Sequence, residues 1–477
     1  MFSFRAAKWR NGEMASAYLT SSSSETQAGG QRQPPAPKGR ARSHRENRGA
    51  SPVSFAYHRC MSIAQEPPLP EPDRVSPPML WEFVKLADYR VPSPAGASAA
   101  LEKWTSLRQL FRRDEQDQQD EQAPVKSEHE LRLLSQSRLH RLARPIDWRG
   151  AAAALDAALA DWLQASNADA PVRFVIGQPH CGHPEILAHW AASHDALRIE
   201  APSSEQILGD DGAWLEAWPA TDRLWVLANL EHCYLRHANG LGLVRRLLEQ
   251  AASGALGRGV IACDSWAWAY LQEVWPLPQP GALTLQAFDG QRLSHFLAEL
   301  MPCPVRDRLR FCNARTGNEV HLELGENNAA VSPEVNQLAV YSRGNIGCAW
   351  NSWRASLRAT PDQGEDGTEQ ADETQPDADP GAEIVWVSAV RQEPVLPAEK
   401  GEGLVFILHA LLLHNGLPAT LLPELLPQPG HRIASSVLQL QTQGVIALAN
   451  GRWQISASAY AVVREFLRRR GFLRDNF

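Results

Sequence analysis

The sequence predicts an α/β fold: a parallel five-stranded sheet covered by helices, followed by a smaller C-terminal module of helices and a hairpin. Three observations lead there. From Val172 onward, short apolar runs rich in β-branched and aromatic residues alternate with amphipathic segments of helical length, the pattern of a parallel sheet with helices on both faces. Between residues 359 and 383 the chain carries many acids and no base, as a solvated linker does. Beyond it, three helical segments are followed by two short runs about an Asn-Gly pair, a strong hairpin signal.

Taken in order, residues 1–78 are poor in large apolar side chains over most of their length, so the entropy of ordering is not offset. A disordered N-terminal region is expected there. Its start, "MFSFRAAKWRNGEMASAYLTSSSS", is basic and serine-rich like a transit peptide but lacks the apolar block of a secretory signal; Met61 is an alternative start. Residues 79–145 hold "MLWEFVKLADYRV" and "SAALEKWTSLRQLFRR", read as one or two short helices, then the acidic run "DEQDQQDEQ" and a return to helical spacing.

The core is expected over residues 146–300. Its candidate strands are "RFVIG", "ALRIEAP", "RLWVLANL", "GVIACDS" and "ALTLQAF". Between them lie the helical segments "PEILAHWAASH", "SEQILGDDGAWLEAW", "LGLVRRLLEQAA" and "WAWAYLQEVW", and "GQRLSHFLAELM" follows the last strand. Residues 301–358 read as a helical unit whose two helices break near "RGN", and 359–383 as the acidic linker. Residues 384–477 have the order of a winged-helix domain: helix, helix, helix ending at a glycine, hairpin, basic closing helix.

Composition narrows the function. The 477 residues, 44% hydrophobic and 21% charged, suit two or three globular units. A formal net charge of −7 gives no global case for a polyanion partner. Seven cysteines without a CxxC pair argue against a zinc ribbon or a disulfide framework and for a reducing compartment, hence a cytoplasmic location. No apolar run reaches membrane-spanning length.

The stretch "GQPHCGHPEIL" sits after the first strand and before a helix. Gly177 and Gly182 have the spacing of a phosphate loop, in which backbone N–H groups and a helix N-terminus converge on an anion. The loop would comprise Gly177, Gln178, Pro179, His180, Cys181, Gly182, His183 and Pro184, with His183 and Pro184 at the positions of the usual lysine and hydroxyl residue. His180, Cys181 and His183 are metal-ligand types, but near-adjacent side chains rarely point at one ion, and no metal site is expected. The strand of "RLWVLANLEH" ends at Asn229 and Glu231, and the next carries Asp264 at its tip.

With these elements in this order, the chain resembles the P-loop ATPases of the AAA+ and STAND type over roughly Ile146 to Arg358 plus the C-terminal module. The resemblance implies a nucleotide core, a helical lid and a winged helix. It implies ATP held by the loop together with Asn229, Asp264 as sensor and the lid residue Arg343, and Glu231 as the base that activates water; Arg236 is a structural or finger arginine. With lysine, hydroxyl and aspartate replaced by His183, Pro184 and Asn229, a fixed charge and magnesium ligands are missing, so Mg2+ binding is in doubt. The expected function is a degenerate, ATP-binding-like regulatory or signalling protein that binds ATP weakly or not at all and works through its winged helix. An active ATPase and a DNA-associated winged-helix protein with a purely structural core are the alternatives. A protein partner is expected, with nucleic acid a second candidate through the winged helix, and an oligomer is open.

Overall fold

The computed structural model describes residues 80–93, 125–165, 171–219, 222–275, 281–302, 308–322, 331–361, 383–388, 393–397, 403–472, 475 and 477. The N-terminal region expected to be disordered, the second short helical stretch near Leu101–Arg113, the "DEQDQQDEQ" run and most of the acidic linker lie outside them.

Along the chain, β1 (Phe83–Lys85) and β2 (Arg132–Leu133) precede β3 (Val172–Gly177), β4 (Leu197–Ile199), β5 (Trp225–Leu227), β6 (Gly259–Asp264) and β7 (Leu283–Leu285). Then come β8 (Leu309–Asn313), β9 (Leu357–Ala359), β10 (Glu383–Val387), β11 (Ile446–Ala449) and β12 (Arg452–Ile455). The first sheet has the order β1-β7-β3-β6-β5-β4. All five expected strands are present and mutually parallel, and β1 adds a sixth, antiparallel to β7.

Alternation along these strands sends side chains to two cores. Val175, Val226, Val260 and Ala262 pack under helices Arg149–Gln164 and His183–Ser193. Ile176, Trp225, Leu227, Ile261 and Cys263 face the other way, toward helices Gly242–Ser253 and Ser265–Val274. The latter core continues without a break into the C-terminal module through Leu404, Leu408, Leu411 and Tyr460. Trp266 and Trp268 are buried in it, so the tryptophan-rich helix is packing surface.

Three expectations change. "EFVKL" forms β1 rather than a helix, because the adjoining residues bond to the sheet edge: Gln286 donates to the Glu82 carbonyl and Leu86 to that of Ala282. "SEQILGDDGAWLEAW" is two short helices, Ser204–Leu208 and Ala213–Glu216, parted at Gly209–Gly212, where Asp210 takes a positive φ. The unit after the core is not purely helical. Its helices Pro333–Tyr341 and Ile346–Ser356, broken at the expected place, pack on a second sheet of order β2-β9-β10-β8. β10 pairs with β8 and β9, so Glu383–Val387 belongs to this middle unit, and the boundary at 384 is too early.

The C-terminal module follows the expected order: helices Gly403–Leu413, Leu422–Leu425 and Gly430–Thr442, the β11–β12 hairpin, and helix Tyr460–Arg469. Asn450 and Gly451 both have positive φ, as the tight two-residue turn of a hairpin requires. No helix among the described residues is long and apolar enough to cross a membrane.

Candidate functional site

Residues 177–184 run from the carboxyl end of β3 into the helix His183–Ser193. β3 lies between β6 and β7, where successive connections leave in opposite directions along the sheet, the usual place for a ligand in such folds. The chain makes a turn in which the Cys181 N–H donates to the Gln178 carbonyl, and His180 (φ 69°) and Gly182 (φ 80°) are left-handed.

Both glycines answer to packing. A Cβ on Gly177 would come within 2.3 Å of the Cys181 Sγ and 2.9 Å of the His183 Nδ1, so these two side chains lie over the end of β3. A Cβ on Gly182 would run into the Trp148 ring at 2.3 Å. The centre of the loop is filled by its own side chains.

His183 is the first residue of its helix and is buried. Its Nδ1 is 3.5 Å from the Cys181 Sγ, and its Nε2 lies 3.9 Å from both a Glu231 oxygen and an Asp264 oxygen. Both carboxylates are fully enclosed. The other Glu231 oxygen accepts the Asp264 N–H at 3.1 Å. Burial opposes charge on His183, but Cys181 and Glu231 outweigh it and hold the imidazole well above its ordinary pKa. Glu231 is likewise pushed up by burial and brought below the usual range by His183. Burial and the Glu231 charge together drive Asp264 well above the usual carboxylate range. The cluster is therefore a Glu231–His183 ion pair beside a protonated Asp264. Asp264 occupies the N-cap position of helix Ser265–Val274 without a side-chain cap bond.

The remaining loop residues turn away from this cluster. Pro179 is buried and its carbonyl accepts from Asn345 Nδ2 at 2.7 Å; Pro184 is half-buried in the first helical turn. The His180 ring meets Tyr460 edge-on and bonds to the Ile455 backbone, and burial lowers its pKa to about 4. It thus points away from His183. Gln178 Nε2 donates to the Tyr89 hydroxyl at 2.9 Å. Asn229 is half-buried at the end of β5, where its carbonyl accepts the His232 N–H.

Arg343, left-handed at the junction of two helices, does not reach the cluster. Its Nε donates to the Phe477 carbonyl at 3.0 Å. Arg464 also reaches that oxygen and pairs with Asp475, whose other oxygen accepts from Ser265 at 2.6 Å. Arg236 is structural: it donates to His409 from its guanidinium and to His414 from its backbone. Sequence reasoning missed Trp148, Tyr89, Asp475 and Phe477, which close around the loop from distant segments.

A triphosphate does not fit this arrangement. The loop interior holds a thiol and an imidazole, no lysine balances phosphate charge, and the Glu231 carboxylate stands behind His183. No step through ATP or Mg2+ follows. Among the described residues, no group of three or more His, Cys, Asp or Glu side chains has the arrangement of a metal site. Neither a family model nor a curated protein matches the chain.

Proposed function

We propose that this chain is a non-catalytic relative, in architecture, of the P-loop ATPases: a regulatory or scaffold protein whose nucleotide position has become a packed polar core. The observation that carries this reading is the filling of the Gly177 loop by Cys181 and His183, with Glu231 paired to His183 rather than set to activate water. The C-terminal module, read as a winged helix, would be the working surface.

The character of that surface favours a protein partner over nucleic acid. On helix Gly430–Thr442 the exposed positions include Ala434, Ser435, Leu438 and Gln439, with Arg432 as the firm cation, and Leu438 is 61% exposed. Leu448 on the hairpin is 57% exposed. The arginines available for phosphate contact have internal partners: Arg464 with Asp475, Arg468 and Arg469 with Glu465, Arg452 with the Gly416 carbonyl, and Arg470 over the Phe466 ring. Phosphate neutralisation dominates DNA affinity, so little is left to supply it.

ATP titration with thermal shift, with and without magnesium, tests the reading. The expected result is no change in Tm at millimolar nucleotide. A ligand at about 100 times its Kd would add roughly 2.7 kcal/mol, so a saturable, magnesium-dependent rise would overturn the proposal in favour of an ATPase. A salt-dependent shift of duplex DNA would favour the DNA-associated alternative.

A further inference from the structure

Cys181 differs from the other enclosed thiols. It lines a small cleft at the end of β3 together with Tyr89, Gln178, Thr284, Asn345 and Phe477. On its inner side stands the His183 imidazole, 3.5 Å away, whose far nitrogen faces Glu231. Thiol, imidazole and carboxylate thus stand in line, with the sulfur at the solvent end. A second observation points to a ligand: Gln178 is 3% exposed, lines the same cleft, and its Oε1 has no hydrogen-bond partner among the described residues. A buried acceptor left open in this way is costly. It would be satisfied by a small molecule carrying an O–H group.

We propose that Cys181, His183 and Gln178 form a thiol site for hydrogen peroxide, at which Cys181 is oxidised to a sulfenic acid. The cleft is too small for a peptide or nucleotide substrate, and peroxide is close to water in size. Gln178 Oε1 accepts one peroxide O–H. Cys181, reacting as its thiolate, attacks the nearer oxygen; the S–O bond forms from the sulfur electron pair as the O–O bond breaks. Sulfur is oxidised, and the departing oxygen is reduced to hydroxide, takes the proton from His183 Nδ1 and leaves as water. Glu231 positions the imidazole through its other nitrogen. The remaining described cysteines lack this setting: Cys233, Cys263 and Cys348 are buried, with burial raising all three thiols above their usual range, while Cys312 is only half-buried.

The test is brief exposure of the full-length protein to dilute hydrogen peroxide, trapping of sulfenic acid with dimedone, and cysteine-by-cysteine mass spectrometry. Cys181 should be labelled at least about tenfold faster than Cys312 despite being less exposed, because the His183 imidazole beside its sulfur and the open Gln178 acceptor assist departure of the leaving oxygen. His183→Gln should lower labelling of Cys181 by about tenfold while leaving Cys312 unchanged. Because that variant perturbs a buried pair, Gln178→Leu provides an independent check: it removes the acceptor without touching the ion pair and should slow Cys181 labelling several-fold. Labelling of Cys181 no faster than Cys312 in the unaltered protein would overturn the proposal, as would equal rates in Gln178→Leu and the unaltered chain.

Discussion

Two carboxylates facing one enclosed imidazole cannot both be charged without strong repulsion, and the cluster resolves this by asymmetry. Glu231 carries the charge against His183, and Asp264 keeps its proton. The two residues therefore respond oppositely to removal of charge. Glu231→Gln strands the imidazolium and should cost about 3 kcal/mol at pH 7, the typical penalty for breaking a buried pair. Asp264→Asn should cost less than about 1 kcal/mol or stabilise, since it fixes the neutral state already present. Glu231, lowered in the fold, contributes above its unfolded value near 4.5 and loses this as pH falls through its folded value; Asp264, raised in the fold, favours folding only at low pH and opposes it increasingly as pH rises. Urea unfolding of both variants at pH 7 and pH 5 checks the prediction, and equal destabilisation by the two would contradict the assignment. Gly177→Ala belongs to the same scale: its methyl group would displace the Cys181 sulfur and the His183 ring, an overpacking cost of about 1–3 kcal/mol that the same measurement would show.

At the scale of elements, the seam between the loop after β5 that carries Arg236 and helix Gly403–Leu413 is held by neutral histidines. His409 Nδ1 and His414 Nε2 both accept from Arg236, which only an unprotonated ring nitrogen can do. Burial, reinforced by nearby cations, lowers both histidines to a pKa of about 3. Their folded values lie below the ordinary 6.5, so their contribution is complete above pH 6.5 and is lost as pH falls toward 3. By pH 5 each would forfeit up to about 2 kcal/mol. Tm should fall steeply from pH 7 to 5, and His414→Gln, which keeps an acceptor but does not titrate, should flatten the slope; an unchanged slope in that variant would refute the seam's role. The same scale explains what the sequence made legible. The parallel strands and their helices were readable because each buries a continuous apolar run or a one-sided stripe. β1, β2 and β10 were not, because they gain their identity from partners far along the chain, as when β2 and β10 both pair with β9. The loop, Glu231 and Asp264 come together in the fold, since strand tips meet at one edge of a parallel sheet. What fills their centre was not readable: spacing suggests a cradle, and only packing reveals that Cys181, His183 and Trp148 occupy the room the glycines leave.

For the whole molecule, the consequence is that residues 403–477 and the α/β core share one hydrophobic interior rather than meeting at a polar boundary. Trp266 and Tyr234, both enclosed, bond to Tyr460 and to the Leu413 carbonyl, and Leu404, Leu408 and Leu411 continue the core that begins at Ile176. Separate domains joined by a linker tend to meet over modest, more polar surfaces and to move independently, whereas a shared interior makes unfolding cooperative. Cutting the chain at a protease site introduced after Lys400 should therefore leave two fragments that co-elute in size exclusion at pH 7.5 and melt in a single transition. Loss of the neutral histidine seam weakens one part of that interior, so the cut protein should come apart at a higher pH than the intact chain unfolds. Fragments that separate at pH 7.5, or two resolved transitions in calorimetry, would mean that the module is an independent domain and that its docking over the loop is one of several arrangements. Co-elution would instead make the module's contact with His180 a permanent part of the fold.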